Sequence, residues 1–339
     1  VQFFFPRFLL PFNLGKLPRY MYPQTNIDLG YNYQRRVIYK RHIFNSAIRY
    51  SWKQTPTISH VLSPIDINFI KINTSDEFQQ MLDAMTNTQY KSQYTDHIIM
   101  ATRYAFTFNN QRAANVGNFF YFRFQVETSG NFLNGMNRLF KTPLADGKDY
   151  YEILNVRYAQ YALFDVDFKY FHYFTPKSTI IARFVGGIGI PYSNSEALPM
   201  EKSFFAGGSN DMRGWILKTL GPGSYSSDIN LERLGDVMLK FNFEYRFPIH
   251  NCIRGAIFTD IGNVWLLKEN NNFPGGEFKF DRFYKEFAVD VGLGLRFDFN
   301  FAVIRLDAGI PVVDPSLPEK QRIRPLKSYK FSDIIPMIA

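Results

Sequence analysis

Hydrophobic and polar residues alternate with a period of two along most of this chain. At 241–247, Phe241, Phe243, Tyr245 and Phe247 alternate with Asn242, Glu244 and Arg246. At 287–299 the odd positions are all apolar, while the even ones hold Asp290, Arg296, Asp298 and two glycines. Such alternation predicts strands with unlike faces. We place them at 2–10, 26–37, 40–53, 58–72, 95–110, 115–129, 152–174, 177–192, 237–248, 252–266, 286–299 and 301–312, about twelve in all. Most are longer than the usual soluble strand of about five or six residues. Charges and glycines on one face do not suit a sandwich core, but they suit a water-filled lumen whose other wall faces lipid. The pattern therefore predicts an all-β fold, a transmembrane antiparallel β-barrel, over a soluble sandwich.

The connections alternate in length. Short ones fall near 54–56, 109–111, 175–177, 248–250 and 298–300; long ones fall near 73–94, 130–151, 193–236, 267–285 and 313–339. Outer-membrane barrels have short periplasmic turns and long outer loops, so the long connections are placed on the outside. Within 75–85, Ser75 is a helix cap, Asp76 and Glu77 fill the first turn, and Phe78, Met81, Leu82 and Met85 share one face, which predicts a short helix in an outer loop. No fixed-period repeat and no low-complexity tract is present, which argues against a propeller or solenoid.

Composition sharpens this picture in three ways. The chain has 339 residues, 36 Phe and 21 Tyr, yet its mean hydropathy is slightly negative because polar residues are interleaved. No run reaches the roughly 18 to 20 apolar residues of a spanning helix. The 39 basic and 30 acidic side chains give +9, but the cations are scattered, so no nucleic-acid partner is expected. The single cysteine, Cys252, allows neither an internal disulfide nor a cysteine-based zinc cage. The first residues, Val1 to Pro6, lack the basic region and cleavage site of a signal peptide, so the start of any exported precursor is expected outside this chain.

Catalytic motifs are weak. His42, His60, His97, His172 and His250 have no metal-ligand spacing, no Gly-x-Ser-x-Gly elbow occurs, and the glycines at 186–189 lack the lysine of a phosphate loop. We expect no enzyme activity, no cofactor and no metal.

The informative loop is 204–215, which holds Met212, Arg213, Gly214 and Trp215 among glycines. Glu244 lies on the polar face of the next predicted strand, and Asp260 shares a face with Gly262 on the strand after it. A carboxylate in a confined lumen is costly unless paired, and the planar guanidinium fork is its best partner. The residues alone leave open the alternative that Arg213 is a solvated loop residue and Asp260 faces water.

These residues also carry a family resemblance. The Met212-Arg213-Gly214-Trp215 loop, the strand end Glu244-Tyr245-Arg246-Phe247-Pro248, and Phe258-Thr259-Asp260-Ile261-Gly262-Asn263-Val264-Trp265 together resemble the BamA/TamA superfamily of outer-membrane assembly proteins. Gly221-Pro222-Gly223 and the stretch from Phe3 to Phe12 resemble its TamL-like lipoprotein branch in Bacteroidota. The resemblance implies a barrel of sixteen strands, about twelve of them in this chain. It also implies that Arg213 anchors a lumen-inserted loop to the wall acids Glu244 and Asp260, with Gly262 and Asn263 as supporting motif. Met212 and Trp215 depart from the more usual Val and Phe or Tyr but keep their apolar and aromatic character.

On this resemblance residues 1–339 are expected to be a barrel domain incomplete at both ends, with periplasmic POTRA domains outside it. The expected activity is protein insertion or translocation at the outer membrane through a lateral seam. Unfolded outer-membrane proteins are the clients, TamB-like or Bam-type subunits the partners, and lipids and lipopolysaccharide the surroundings. A passive porin, a secretion translocase and a surface scaffold are the alternatives.

Overall fold

A computed structural model describes all residues except 13–14, 16–17, 85–90, 92–93, 113–116, 227–231, 300–301 and 325–339. Its strands are β1 (Gln2–Phe5), β2 (Gln24–Arg35), β3 (Tyr39–Lys53), β4 (Ile58–Thr74), β5 (His97–Asn109), β6 (Phe119–Ser129), β7 (Glu152–Ile153), β8 (Val156–Tyr158), β9 (Tyr161–Thr175), β10 (Ser178–Pro191), β11 (Val237–His250), β12 (Ile253–Trp265), β13 (Ala288–Asp298) and β14 (Val303–Val313). They form a 14-stranded sheet in the order β1-β2-β3-β4-β5-β6-β9-β10-β11-β12-β13-β14, with β7 and β8 off that path and the order open at β1 and β14. From β1 to β5 and from β10 to β14 each strand pairs antiparallel with the next, and β8 pairs parallel with β5.

All twelve expected strands are present, with two differences. The segment 152–174 is three strands rather than one, because Leu154 and Asn155 take positive φ (53° and 60°) and fold Glu152–Ile153 back onto Val156–Tyr158. The first strand stops at Phe5, where Pro6 cannot donate to a ladder. The expected turn at 298–300 and the long connection at 313–339 lie partly outside the described residues.

Helix α1 (Asp76–Ala84) forms where expected: Phe78 N donates to Ser75 Oγ at 3.3 Å, and Phe78 and Leu82 are buried, Phe78 against Tyr94. Met85 lies outside the described residues. A second helix, α2 (Asn131–Leu139), replaces the loop expected over 130–151. Three asparagines and Gly135 conceal it, since all are poor helix formers. Tertiary contacts hold it instead: Asn134 and Asn137 are its buried residues, and Asn137 Nδ2 donates to the Tyr158 hydroxyl at 3.1 Å.

The chain divides into two compact units. The first comprises Val1–Phe108, Arg123–Asp165 and Gly189–Lys202, with Ile70, Ile99, Tyr158, Tyr161 and Leu198 fully buried. The second comprises Asn109–Phe122, Val166–Ile188 and Ser203–Ala339. In it Ala206, Met212 and Leu220 of the long β10–β11 connection pack on Met238, Val264 and Ala288, with Val185, Phe204 and Trp215 alongside. The buried face of β11–β14 carries Lys240, Glu244, Asp260, Asp290, Arg296 and Asp307; the other leaves Phe243, Ile257, Leu293, Leu295 and Leu306 exposed. The period-two pattern therefore produces the expected unlike faces.

Candidate functional site

Cross-strand register stacks the buried face of β11–β14 in layers. Asn242, Asp260 and Asp290 form one row, Glu244, Phe258, Gly292 and Gly309 the next, and Arg246, Ala256, Gly294 and Asp307 a third. Small residues beside large ones leave a trough above the sheet. Arg213, 7% exposed, lies in it. Its Nε donates to Asp260 Oδ2 at 2.8 Å and its Nη2 to Asp260 Oδ1 at 2.9 Å, a two-bond fork on a fully buried carboxylate. Nη1 donates to Glu244 Oε2 at 2.7 Å and lies 3.5 Å from Asp307 Oδ2. The guanidinium carbon is 3.3 Å from the centre of the Phe258 ring, so all three nitrogens are bonded and one flat side is covered by the ring.

The main chain of the loop docks as well. Arg213 N donates to Asp260 Oδ2 at 3.2 Å and Gly214 N to Asp290 Oδ2 at 2.8 Å. This approach requires glycine at two places. A Cβ on Gly214 would stand 2.6 Å from Asp290 Cβ, and one on Gly309 2.9 Å from the Arg213 carbonyl carbon. Asp211, before the arginine, accepts from Gly207 N at 3.0 Å and Lys240 Nζ at 2.8 Å. Burial pushes the Asp211 carboxyl up, and the Lys240 ammonium only partly offsets this.

A second tier of cations holds the acids from the far side. Arg296 Nη2 donates to Glu244 Oε1 at 3.1 Å and its Nη1 to Asp307 Oδ1; Arg246 Nε donates to Glu244 Oε1 at 2.6 Å. Arg305 Nε lies 3.2 Å from Asp307 Oδ2, and its Nη2 donates to Ser209 O and Asn210 Oδ1 at 2.6 Å. Acids and cations alternate from Asp260 through Arg213, Glu244 and Arg296 to Asp307, while Arg296 Nε and Asp290 Oδ1 are buried without a hydrogen-bond partner.

Arg213 and Gly214 of the loop thus meet acids of the wall, Arg213 both of the expected ones, while Met212 and Trp215 serve the apolar packing beside them. Met212 is fully buried in the apolar cluster of the second unit, with Trp215 beside it. Asn263 serves a neighbouring contact: its Nδ2 donates to Gly223 O at 2.8 Å and Glu286 O at 2.6 Å, tying the loop after the arginine to the sheet. Gly262 faces Leu239 O, 2.8 Å from where a Cβ would be, which admits the backbone of β11 closely. The acids Asp290 and Asp307 and the ring of Phe258 were missed by sequence reasoning. Their positions on the polar face of the alternation were visible for Asp290, but which loop atoms reach them depends on strand register.

The pattern of the Omp85 superfamily domain matches residues 7–325. The chain belongs to the Omp85 superfamily. Among solved structures, this Omp85 chain is similar to BamA from Haemophilus ducreyi lacking POTRA domains 1–3, with 14% identity and a TM-score of 0.57 over 86% of this chain and 55% of that one. It is also similar to CdiB from Escherichia coli, with 11% identity and a TM-score of 0.47 over 86% of this chain and 46% of that one. This Omp85 chain thus spans about half the length of each. The BamA likeness agrees with an antiparallel β-barrel fold.

The first unit of the Omp85 chain holds an anchor of its own. Glu201, early in the same β10–β11 connection, accepts from Arg41 Nη1 at 2.7 Å and His97 Nε2 at 3.0 Å, while His97 Nδ1 lies 2.8 Å from Thr95 O. Burial opposes ionisation of Glu201, but the His97 bond and charge, with Arg41, outweigh it and hold the carboxyl down at about 2. Next to it Lys202 Nζ lies 2.7 Å from Glu127 Oε1, which also accepts from the Tyr161 hydroxyl at 2.6 Å. Nothing in the sequence singled out these partners, which lie as much as 160 residues apart.

Proposed function

We propose that this chain is the barrel domain of an outer-membrane protein that inserts or translocates other outer-membrane proteins and carries out no covalent chemistry. The observation that carries the reading is the two-bond docking of Arg213 on Asp260, with Glu244, Asp307 and Asp290 completing it, in a chain of the Omp85 superfamily. Ion pairs buried under a loop on one face, with exposed Phe243, Ile257, Leu293 and Leu306 on the other, fit a wall between a lumen and lipid. An unpaired strand edge in such a wall offers backbone groups to an incoming strand. That lowers the high cost of bringing unsatisfied N–H and C=O groups into hydrocarbon. The arginine network keeps the long loop at a fixed place in the lumen during that exchange.

The finer assignment is the TamL-like type, with POTRA domains and a TamB-like or Bam-type partner, and with unfolded outer-membrane proteins as clients. It rests on the sequence resemblance. A bacterium depleted of its own copy and complemented with Arg213→Ala or Asp260→Ala is expected to show reduced levels of folded outer-membrane proteins at normal levels of the variant. Full assembly by an abundant Arg213→Ala protein would sink the reading. A steady open conductance in planar bilayers with the loop in place would favour a porin instead.

A further inference from the structure

On the outer face of β2–β4 in the first unit, register arranges side chains by chemistry along the strands. Near the β2–β3 turn, Arg35, Lys40 and Asn73 form one row; Tyr33, His42 and Lys71 form the next; Tyr31, Phe44 and Phe69 form the third. Alternation puts all of them opposite the buried Tyr39, Arg41 and Ile70. The aromatic rows are continuous: Tyr31 and Phe44 rings are 4.9 Å apart, Tyr33 and His42 5.0 Å, and the Tyr31 hydroxyl is 2.8 Å from His42 Nδ1. Further along the same face come Leu29 and Ile67, then Ile48 and Ile65, and finally Trp52, His60 and Phe106, with Trp52 stacked on His60 at 5.0 Å. From His42 to Trp52 is ten residues, roughly 33 Å along the strand and about 25 Å in height at a typical tilt, which is the height of a barrel's lipid-facing band.

We propose that the β2–β3 turn end of this face binds the phosphorylated glycolipid of the outer leaflet, with Arg35, Lys40 and Lys71 contacting its phosphates. This rests on the outer-membrane reading given above. The three cations are exposed and, among the described residues, no ion pair engages them, whereas Arg41 on the opposite face is bonded to Glu201. Exposed Arg36 and Val37 stand beside them, and a cleft of about 670 Å³ runs between Arg35–Lys40 and Asn73–Ser75. Aliphatic, then aromatic, then cationic is the order of acyl chain, interface and phosphate along a lipid. An acidic soluble partner would meet the cations but would leave the aromatic and aliphatic rows uncovered. The turn lies at the same end of the strands as the long β4–β5 connection, the end that faces outward in barrels of this kind.

Two experiments separate the site from the reading beneath it. In the first, Val37→Cys in a Cys252→Ser background is treated on intact cells with a membrane-impermeant maleimide, and labelling is expected. Labelling only after lysis overturns the outer-leaflet placement and the topology on which it rests. In the second, the purified chain in detergent micelles is titrated with bis-phosphorylated lipid A and with its dephosphorylated form, and bound lipid is counted by native mass spectrometry. The expected preference for the phosphorylated form is about tenfold or more, it weakens at high salt, and inorganic phosphate competes poorly. Arg35→Gln with Lys40→Gln and Lys71→Gln is expected to abolish the preference, and Lys53→Gln with Lys177→Gln, at the other end of the strands, to preserve it. Equal binding of both lipids by the parent chain, or an undiminished preference in a triple variant that still runs as a folded band, overturns the lipid site while the surface labelling stands.

Discussion

Removing the Arg213 side chain tests the network most directly. Arg213→Ala leaves Asp260, fully buried, with Asn242 Nδ2 at 2.8 Å and the residue-213 backbone N–H at 3.2 Å, and it strips Glu244 of one of three cationic partners. Breaking a buried pair from one side typically costs about 3–5 kcal/mol. We expect the upper half of that range, because the carboxylate has lost two side-chain bonds at once. For a domain of this size the loss corresponds to a fall of about 6–10 °C in the temperature at which the folded, fast-migrating form disappears on unboiled gels. Arg213→Lys keeps the charge but cannot span both Asp260 oxygens, so it is expected to lose about half as much. Arg213→Ala with Asp260→Ala removes both ions and is expected to be less damaging than the two single changes summed. A swap, Arg213→Asp with Asp260→Arg, is the poorer rescue, since Asp at 213 would face Glu244 and Asp307. A fall of under 2 °C for Arg213→Ala, or strict additivity in the double variant, would refute the claim that this arginine holds the loop.

Two further tests probe the loop's seat. Gly214→Ala places a methyl 2.6 Å from Asp290 Cβ, so it is expected to lift the loop and cost about 1–3 kcal/mol, read as faster trypsin cleavage within 203–225; unchanged cleavage would refute the close approach. Burial raises the Asp236 carboxyl to about 6 against the opposing Leu267 N–H and Lys268. An acid whose folded value lies above its unfolded one stabilises fully only below the unfolded value, and that stability is lost as pH rises from about 4 to 6. Over two pH units the loss is at most about 3 kcal/mol, less for a partly exposed residue. Asp236→Asn should therefore raise the melting temperature more at pH 7.5 than at pH 4.5, and an equal effect at both would contradict the assignment.

How legible the chain was depended on the range of the interaction. The long strands were readable because alternation is a local property, and 241–247 or 287–299 state it without help from the rest of the chain. Segment 152–174 is three strands rather than one because Leu154 and Asn155 take positive φ in the two-residue turn of the β7–β8 hairpin, which period-two alternation does not reveal. Helix α2 was missed because its stability comes from contacts such as Asn137 with Tyr158 rather than from propensity. Glu244 and Asp260 could be marked as polar-face acids in need of a partner, but naming Arg213 as that partner rested on the family resemblance, because the residues alone leave a loop arginine free to face water. Asp290 and Asp307 could not be assigned, because reaching Arg213 requires β13 and β14 to sit at one particular offset from β12.

The sequence by itself determined the period of the strands and the unlike faces of the sheet, which follow from nearest-neighbour chemistry, while the role of the loop arginine came from the family resemblance of its motif. Tertiary structure alone decided the rest. Register places Phe258 under the guanidinium and Gly309 under its backbone, and the fold brings Glu201 to Arg41 and His97 across long stretches of chain. A two-residue shift between strands would keep every side chain on its face and still dismantle the network, because side-chain period fixes only the face and register fixes the partner.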